Sequence, residues 1–357
     1  MSVCLCMMVR NEASLIREAL RSVKPYITTY SIMDTGSTDD TKAIILDELA
    51  GISGTIHDRP WTGWDKSRTE AMTLAKQSGA DYLFLLDADE TVSGEMTLSA
   101  DAHWVTIVYG PMVYQRPNIL STKYDWKYIG VTHECLVCDT KGAQPKEVVL
   151  PITLKTNDAR TNKNKDRIQD DIDLLEAALK TNPDNARYVF YLAQSYRDIS
   201  DNYKSMELYE ARAGMGGWHE EVWYSLYQRA LLMIRLNYPE IDITEAFVKA
   251  HEFHSMRGEA LGSLSQYLRS RGKNSTAFMI ASAAKNIPAS SDKLFVDNSF
   301  AQWRNLDEYA VAAFYAGKFE TAYKANLELL GDPNRLPESE KPRVLNNCKL
   351  ARARMDA

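Results

Sequence analysis

The carboxylates that follow one apolar stretch are the residues of this sequence best placed to do chemistry. Residues 82–86 are all apolar or aromatic, which is typical of a strand buried on both faces. Asp87, Asp89 and Glu90 follow at once. Such carboxylates repel one another unless a cation neutralises them, and a hard divalent metal that carries phosphate oxygens is one candidate. The alternative is a buried strand that ends in a solvated acidic turn.

Two further polar clusters follow predicted strands in the first half of the chain. The first contains Arg10, Asn11 and Glu12, and the second covers residues 34–40. Because the carboxyl ends of parallel strands meet at one edge of a sheet, we expect all three clusters to converge there, where open α/β sheets bind ligands.

Three residues suggest what the convergent edge binds. Gly36 lets the backbone approach a ligand closely, and Asp34 can accept a hydrogen bond from a base or a ribose hydroxyl. Arg68, on the predicted helix before the acidic strand, can reach phosphate with its planar guanidinium. The sequence therefore predicts a nucleotide site with a metal-bridged diphosphate. The sequence has neither a G-x-G-x-x-G nor a Walker lysine motif, which disfavours dinucleotide oxidoreductases and P-loop enzymes.

Strands and helices alternate up to the acidic strand, which predicts a mostly parallel sheet covered by helices. The predicted strands are residues 3–9, 30–33, 54–57 and 81–86. The predicted helices are 14–23, one that carries residues 43–46 and 49, and 65–77. Ser14 is the expected cap of the first helix, and Ser37 or Thr38 that of the second. After Glu90 the alternation stops, so strands at 104–109, 112–115 and 134–137 predict an antiparallel extension of the sheet.

The second half of the chain has helical spacing nearly throughout. Residues 153–165 are polar and basic and predict a linker, so we divide the chain into an α/β domain at 1–155 and an all-α domain at 156–357. Within 185–213 and again within 309–330, small residues stand where two helices would touch and large ones fill between them. This spacing indicates tetratricopeptide-like (TPR-like) helix pairs.

Composition excludes several protein classes. The 357 residues suit two domains, and the net charge of −6 argues against a generic nucleic-acid-binding surface. Cys135 and Cys138 form a lone C-x-x-C among five cysteines, which favours reduced thiols over a zinc site. The N-terminal apolar run is broken too early for a signal peptide or a membrane span, so we expect a cytoplasmic protein.

Three segments carry a resemblance to a known family. Residues 4–12 (CLCMMVRNE), 34–39 (DTGSTD) and 85–90 (LLDADE) resemble family-two glycosyltransferases of the GT-A fold, whose D-x-D motif matches Asp87-Ala88-Asp89. Together with residues 190–198 and 216–218, they resemble a subgroup in which the transferase is fused to TPR-like helices.

The resemblance implies roles for the residues at the strand ends. Asp87 and Asp89 would hold Mn²⁺ or Mg²⁺ against the diphosphate of a nucleotide-sugar donor, most readily a UDP-sugar. Asp34 would contact the nucleoside, and Arg68 the phosphates or the donor sugar. His133 is the candidate for a further metal ligand, and its alternative is a hydrogen-bonded surface histidine. The remaining donor-site residues would be Arg10, Asn11, Glu12 and Gly36.

An inverting transfer also needs a base that deprotonates the acceptor hydroxyl. Many members of the family carry an acidic pair after the D-x-D motif, and this sequence departs from that pattern. Glu134 is our first choice for the base and Asp125 the second.

The expected function is metal-dependent, inverting transfer of a sugar to an unidentified acceptor. A protein, peptide, glycan, lipid-linked molecule or modified nucleobase would each qualify as the acceptor. The helical half is expected to bind the acceptor, another protein or a second copy of the chain, because helical repeats present extended concave surfaces. Two alternatives are a non-catalytic TPR scaffold with a degenerate transferase domain and a nucleotidyltransferase.

Overall fold

The computed structural model describes residues 1–109, 112–157 and 165–356. These residues form two compact units, Met1–Pro183 and Asp184–Ala357. The division therefore lies beyond the boundary expected at 155/156, because a helix at Lys165–Thr181 groups with the first unit. Most of the expected linker, residues 158–164, lies outside the described part of the chain.

The first unit begins with the alternation that the sequence predicted. Its elements up to the acidic turn are β1 (Val3–Val9), α1 (Ile16–Val23), β2 (Thr29–Asp34), α2 (Thr41–Glu48), β3 (Ser53–Asp58), α3 (Trp64–Lys76) and β4 (Tyr82–Leu85). They are followed by β5 (Glu90–Gly94), β6 (Ala102–Tyr109), β7 (Met112–Ser121), β8 (Trp126–Ile129), β9 (Cys135–Cys138), β10 (Glu147–Thr156) and α4 (Lys165–Thr181).

One eight-stranded sheet organises the first unit, in the order β3-β2-β1-β4-β7-β6-β10-β5. The pairs β2–β3, β1–β2 and β1–β4 are parallel, so their carboxyl ends share one edge. β7 runs antiparallel to both β4 and β6, which confirms the antiparallel extension. β8 and β9 form a separate hairpin. The predicted fold class is confirmed for this half.

Strand β1 shows why this sequence forms a sheet covered on both faces. Leu5 and Met7 point into one apolar core, together with Ile16 and Leu20 of α1. Cys4 and Cys6 alternate with them and belong to the opposite core, which includes residues of α3. A strand buried on both faces reads as a continuous apolar run, and this is why its bounds were predictable.

Several local predictions were wrong. Helix α1 begins at Ile16 after Leu15, and α2 begins at Thr41 after Asp40, with no capping hydrogen bond from either preceding side chain. Ser14, Ser37 and Thr38 are therefore not caps. Ser37 instead accepts a hydrogen bond from the Asn11 backbone, so tertiary contacts use the polar side chains that local rules assigned to helix ends. Strands β5, β8 and β10 were not predicted, and residues 153–156 belong to β10.

The second unit is helical. Its α-helices are α5 (Ala186–Asp198), α6 (Asn202–Gly214), α7 (His219–Arg235), α8 (Glu240–Phe253), α9 (Glu259–Ser270), α10 (Asn274–Ala284), α11 (Asn305–Tyr315), α12 (Phe319–Gly331) and α13 (Lys341–Met355). A short π-helix, Phe300–Arg304, leads into α11. No described helix is long and apolar enough to cross a membrane.

Successive helices of this unit pack closely through small residues. The Ser205 hydroxyl of α6 donates to the Ala193 carbonyl of α5 over 2.8 Å, and Ser265 of α9 donates to the Ala277 carbonyl of α10 over 3.0 Å. Ala313 and Ala322 are fully buried on either side of the α11–α12 turn. Small side chains let the backbones approach, and the recurrence of the contact confirms TPR-like helix pairs.

Candidate active site

A tight acidic turn follows strand β4 at the carboxyl edge of the sheet. The Glu90 backbone N–H donates to the Asp87 carbonyl over 3.1 Å, and the Asp87 N–H donates to Glu90 Oε2 over 3.0 Å. The Glu90 side chain thus closes its own turn and is only 4% exposed. Asp87 and Asp89 remain partly exposed at the same turn. The three carboxylates therefore differ in role although they are neighbours in sequence.

Arg68 of α3 holds Asp87 from the side. Its Nη1 donates to Asp87 Oδ1 over 2.9 Å and its Nη2 to Oδ2 over 3.3 Å, which is the two-pronged geometry of a guanidinium on a carboxylate. Burial alone would raise the pKa of Asp87, but Arg68 and then Arg116 outweigh it and hold that pKa below its ordinary value. Asp87 is therefore ionised at neutral pH.

Arg116 of β7 joins Arg68, Asp87 and Glu90 in one charged cluster. Sequence reasoning missed this arginine. Its Nη2 lies 2.8 Å from Glu90 Oε1, and its Nη1 lies 3.8 Å from Asp87 Oδ2. Its Nε donates to Asn118, whose amide donates to the Leu85 carbonyl over 2.8 Å at the end of β4. The residue was missed because β7 was predicted to end at 115. Only the antiparallel pairing of β7 with β4 brings it to this edge.

Glu134 reaches the cluster from the loop between β8 and β9. Its Oε1 lies 2.6 Å from Arg68 Nε, although the N–H is not directed at the carboxylate, and the side chain is 12% exposed. Burial raises the pKa of Glu134, against the opposing effect of Arg68. A carboxyl group with a raised pKa that sits beside a cationic cluster is a suitable general base.

The β8–β9 hairpin is fixed against α3, and this fixes Glu134. The Tyr128 N–H donates to the Thr69 hydroxyl over 2.9 Å, and the Tyr128 ring lies 5.6 Å from the Arg68 guanidinium carbon. Gly130 has φ +128°, and a Cβ there would lie 3.2 Å from the Glu134 Cα, so the loop requires glycine. Next to Glu134, His133 is exposed and has φ +49°.

The turn after β2 is built around Asp34. Its Oδ1 accepts hydrogen bonds from the backbone N–H groups of Gly36 and Ser37, over 2.8 and 2.7 Å. Asp34 is fully buried, and its Oδ2 has no hydrogen-bond partner among the described residues. Gly36 has φ +104°, which suits glycine. In this structure Asp34 therefore shapes the turn, and a ligand would meet the turn's backbone before the carboxylate.

Residues 10–12 lie beside this turn, as expected from the shared edge. The Asn11 side-chain oxygen accepts from the Thr38 N–H over 2.8 Å, and the Glu12 N–H donates to the Thr41 hydroxyl over 2.7 Å. Arg10 is exposed, and the described part of the chain offers it no ion pair or hydrogen bond. These contacts place Arg10 at the edge as a guanidinium available to a ligand.

Comparison with known proteins shows what the first half of the chain resembles. Residues 4–165 match the family described as Glycosyl transferase family 2. This part of the chain is therefore similar to family 2 glycosyltransferases. Two uncharacterized glycosyltransferases, of Rickettsia bellii and Rickettsia felis, are 33% and 34% identical to the chain over 87 residues. The match covers 24% of this chain in both cases, and 27% and 28% of the two relatives.

One more curated protein and several solved structures are also similar to the chain. A TPR repeat-containing protein of Synechococcus elongatus is 39% identical over 90 residues, which are 25% of this chain and 20% of that protein. Among solved structures, MamA aligns with 54% of this chain and 95% of its own at 14% identity and a TM-score of 0.38. A TPR protein of Thermus thermophilus aligns with 54% of this chain and 92% of its own, at 12% identity and a TM-score of 0.33.

The first unit does not bring Asp125 to the cluster of Arg68, Asp87 and Glu134. Asp125 lies 2.6 Å from Lys76 Nζ in the last turn of α3, and its side chain is 72% exposed. Arg68 lies eight residues earlier on that helix, about 12 Å along its axis. Asp125 is therefore far from Arg68 and Asp87, whereas Glu134 lies beside them.

The carboxylate side chains at the acidic turn suit a hard divalent cation. Asp87 and Asp89 offer carboxylate oxygens on one short turn, which are the ligands that Mg²⁺ and Mn²⁺ prefer. Their ligand atoms and that of His133 do not all come within 4.8 Å of one another, within the described residues. Asp87 is engaged by Arg68 instead. The chemistry of the two aspartates therefore fits the cation, and His133 is not assembled with them.

Proposed function

We propose that the chain is a nucleotide-sugar-dependent glycosyltransferase that uses a UDP-sugar and inverts the anomeric carbon. The observation that carries the proposal is the contact of Arg68 with both Asp87 and Glu134 at the carboxyl edge of a family 2 domain. One guanidinium there touches the carboxylate suited to a metal and the carboxylate suited to a base. Donor binding and acceptor activation would thus be coupled through a single side chain.

Arg68, Arg116 and Arg10 are the groups proposed to receive the diphosphate. Arg68 and Arg116 are held by carboxylates on two sides, so their positions are fixed before a ligand arrives. Mn²⁺ or Mg²⁺, bound by Asp87 and Asp89, would supply a Lewis acid that stabilises charge on the departing nucleotide. The loop that contains Asn11 and the loop that contains Ser37 would offer backbone hydrogen-bonding groups to the nucleoside.

Glu134 is proposed as the base. It takes the proton of the acceptor hydroxyl while that oxygen bonds to the anomeric carbon. The bond between that carbon and the diphosphate oxygen breaks, and the electron pair leaves with the nucleoside diphosphate. The raised pKa of Glu134 favours this transfer, because a base is most effective when its pKa approaches the working pH.

The helical unit is proposed to recruit the acceptor. Its paired helices provide the extended surface that helical repeats commonly use for binding. A degenerate site has no need of an intact Asp87–Arg68–Glu134 arrangement, so the cluster gives the scaffold alternative no specific support. It gives the nucleotidyltransferase alternative no specific support either.

The experiment that tests this function measures hydrolysis of a panel of nucleotide sugars by the full chain with Mn²⁺, Mg²⁺ or a chelator. We expect turnover of a UDP-sugar that the chelator abolishes and Mn²⁺ restores. Asp89→Ala should remove this turnover. Turnover that survives both the chelator and Asp89→Ala would overturn the metal assignment, and release of pyrophosphate from a nucleoside triphosphate would favour the nucleotidyltransferase.

A further inference from the structure

Two histidines and an aspartate meet in the helical unit, away from any residue of the proposed transfer site in sequence. His219 is the first residue of α7, His254 follows the end of α8, and Asp292 lies in the loop before the π-helix. One ligand atom of each lies within 4.8 Å of the others. This is the one group of three such residues with that spacing in the described part of the chain.

The three side chains already lie close to the arrangement that a metal ion would require. The His219 and His254 rings are 5.5 Å apart at an angle of 73°, and His254 Nε2 lies 2.9 Å from Asp292 Oδ2. Ligands of a tetrahedral zinc ion lie about 2.0–2.1 Å from the metal and so about 3.4 Å from one another. Side-chain rotations that move the ligand atoms by about 1 Å would therefore close the site around an ion.

The loop that carries Asp292 is fixed independently of any ion. Glu220 Oε2 accepts from the backbone N–H groups of Lys293 and Leu294 over 2.8 and 2.7 Å. The fully buried Arg257 donates to the Phe295 carbonyl over 3.0 Å. The aspartate is thus held at the two helix ends, so binding would not have to order the loop first.

Arg257 does not remove Asp292 from consideration as a ligand. Its guanidinium is paired mainly with Glu259, through contacts of 2.7 and 3.0 Å, and it reaches Asp292 Oδ2 over a longer 3.2 Å. The Asp292 side chain is only 10% exposed. Asp292 Oδ2 lies closer to the His254 imidazole, at 2.9 Å, than to Arg257.

We propose that His219, His254 and Asp292 form a Zn²⁺-type site that ties the ends of α7 and α8 to the 287–299 loop. Two imidazoles and one carboxylate are a ligand set that zinc accepts, with a fourth position left for water. Mg²⁺ prefers oxygen ligands to imidazole nitrogen, so the metal preference of this site should differ from that of the acidic turn. The inference does not depend on the proposed transfer reaction.

The test is calorimetric titration of the full chain with ZnCl₂ in excess MgCl₂, which keeps hard-cation sites occupied. We expect one saturable Zn²⁺ site whose affinity falls by at least about 10- to 100-fold in His219→Gln, His254→Gln and Asp292→Asn. His251→Gln is the matched control, since His251 lies on α8, three residues before His254, and outside the three-residue cluster.

Two further measurements keep the result decisive. Co²⁺ should give a visible absorption band of a four-coordinate ion that His219→Gln removes, and Zn²⁺ should raise the melting temperature of the parent but not of that variant. His219 is exposed, so its variant is expected to fold even if the more buried positions do not tolerate change. Absence of saturable Zn²⁺ binding, or equal binding by the parent and His219→Gln, would overturn the proposal.

Discussion

Arg68 Nη1 and Nη2 contact the two oxygens of Asp87 at 2.9 and 3.3 Å, while Nε of the same residue lies 2.6 Å from Glu134. One guanidinium thereby joins the turn after β4 to the loop between β8 and β9. Because the fork geometry is specific to arginine, the arrangement depends on that side chain and not only on its charge.

Arg68→Lys should lower kcat/KM for the donor by roughly 100-fold, because lysine cannot hold Asp87 through two bonds and reach Glu134 as well. Steady-state kinetics with the full chain measure this. Arg59→Lys is the control, since Arg59 is 42% exposed and pairs with Glu70 at the surface. Equal kinetics for Arg68→Lys and the parent would remove Arg68 from the mechanism.

Glu134→Gln should lower kcat by about 10²- to 10⁴-fold, because the amide cannot accept the acceptor's proton. Asp125→Asn should leave the rate unchanged, since Asp125 lies at the other end of α3. If Asp125→Asn instead lost the rate and Glu134→Gln retained it, the two assignments would be reversed.

The rate should fall as the pH is lowered, because the base must be ionised. Burial raises the pKa of Glu134, so the acidic limb of the kcat/KM profile should lie above the ordinary glutamate value of about 4.3. By linkage, a raised folded pKa contributes stability below the unfolded pKa and loses it as the pH rises through the folded value. Glu134→Gln should therefore be no less stable than the parent at pH 7, as urea unfolding would report.

Asp34→Ala should reduce the free energy of unfolding by about 1–2 kcal/mol, because two backbone N–H groups lose their acceptor at a partly exposed turn. Urea denaturation measures the change. Asp40→Ala is the control and should stay within about 0.5 kcal/mol, since Asp40 precedes α2 without a capping bond. An unchanged stability for Asp34→Ala would show that the turn does not depend on this carboxylate.

Glu221→Gln should destabilise the helical unit by about 3–5 kcal/mol, because it leaves the buried Arg212 without its charged partner. Arg212 is 1% exposed and contacts Glu221 Oε2 at 3.1 and 2.9 Å. Glu320→Gln, in an exposed pair with Lys324 on α12, should leave the free energy of unfolding nearly unchanged, because water screens that pair. Similar effects of the two substitutions would contradict the role of burial.

Local sequence patterns determined the parts of this protein that depend on periodicity. Strand β1 has the predicted bounds, and the helix breaks near 183, 239, 272 and 333 separate helices as expected. These features could be predicted because buried positions recur along each helix or strand with the period of that element. The D-x-D turn could likewise be found by its position after an apolar strand.

Only the tertiary structure decided which charged residues meet at that turn. Arg116 arrives through the antiparallel pairing of β7 with β4, and Glu134 arrives because the β8–β9 hairpin is fixed to α3. Asp125 is only nine residues from Glu134 in sequence, yet it pairs with Lys76 at the far end of α3. Distances between residues on different elements depend on strand order and hairpin packing, and no local pattern encodes either.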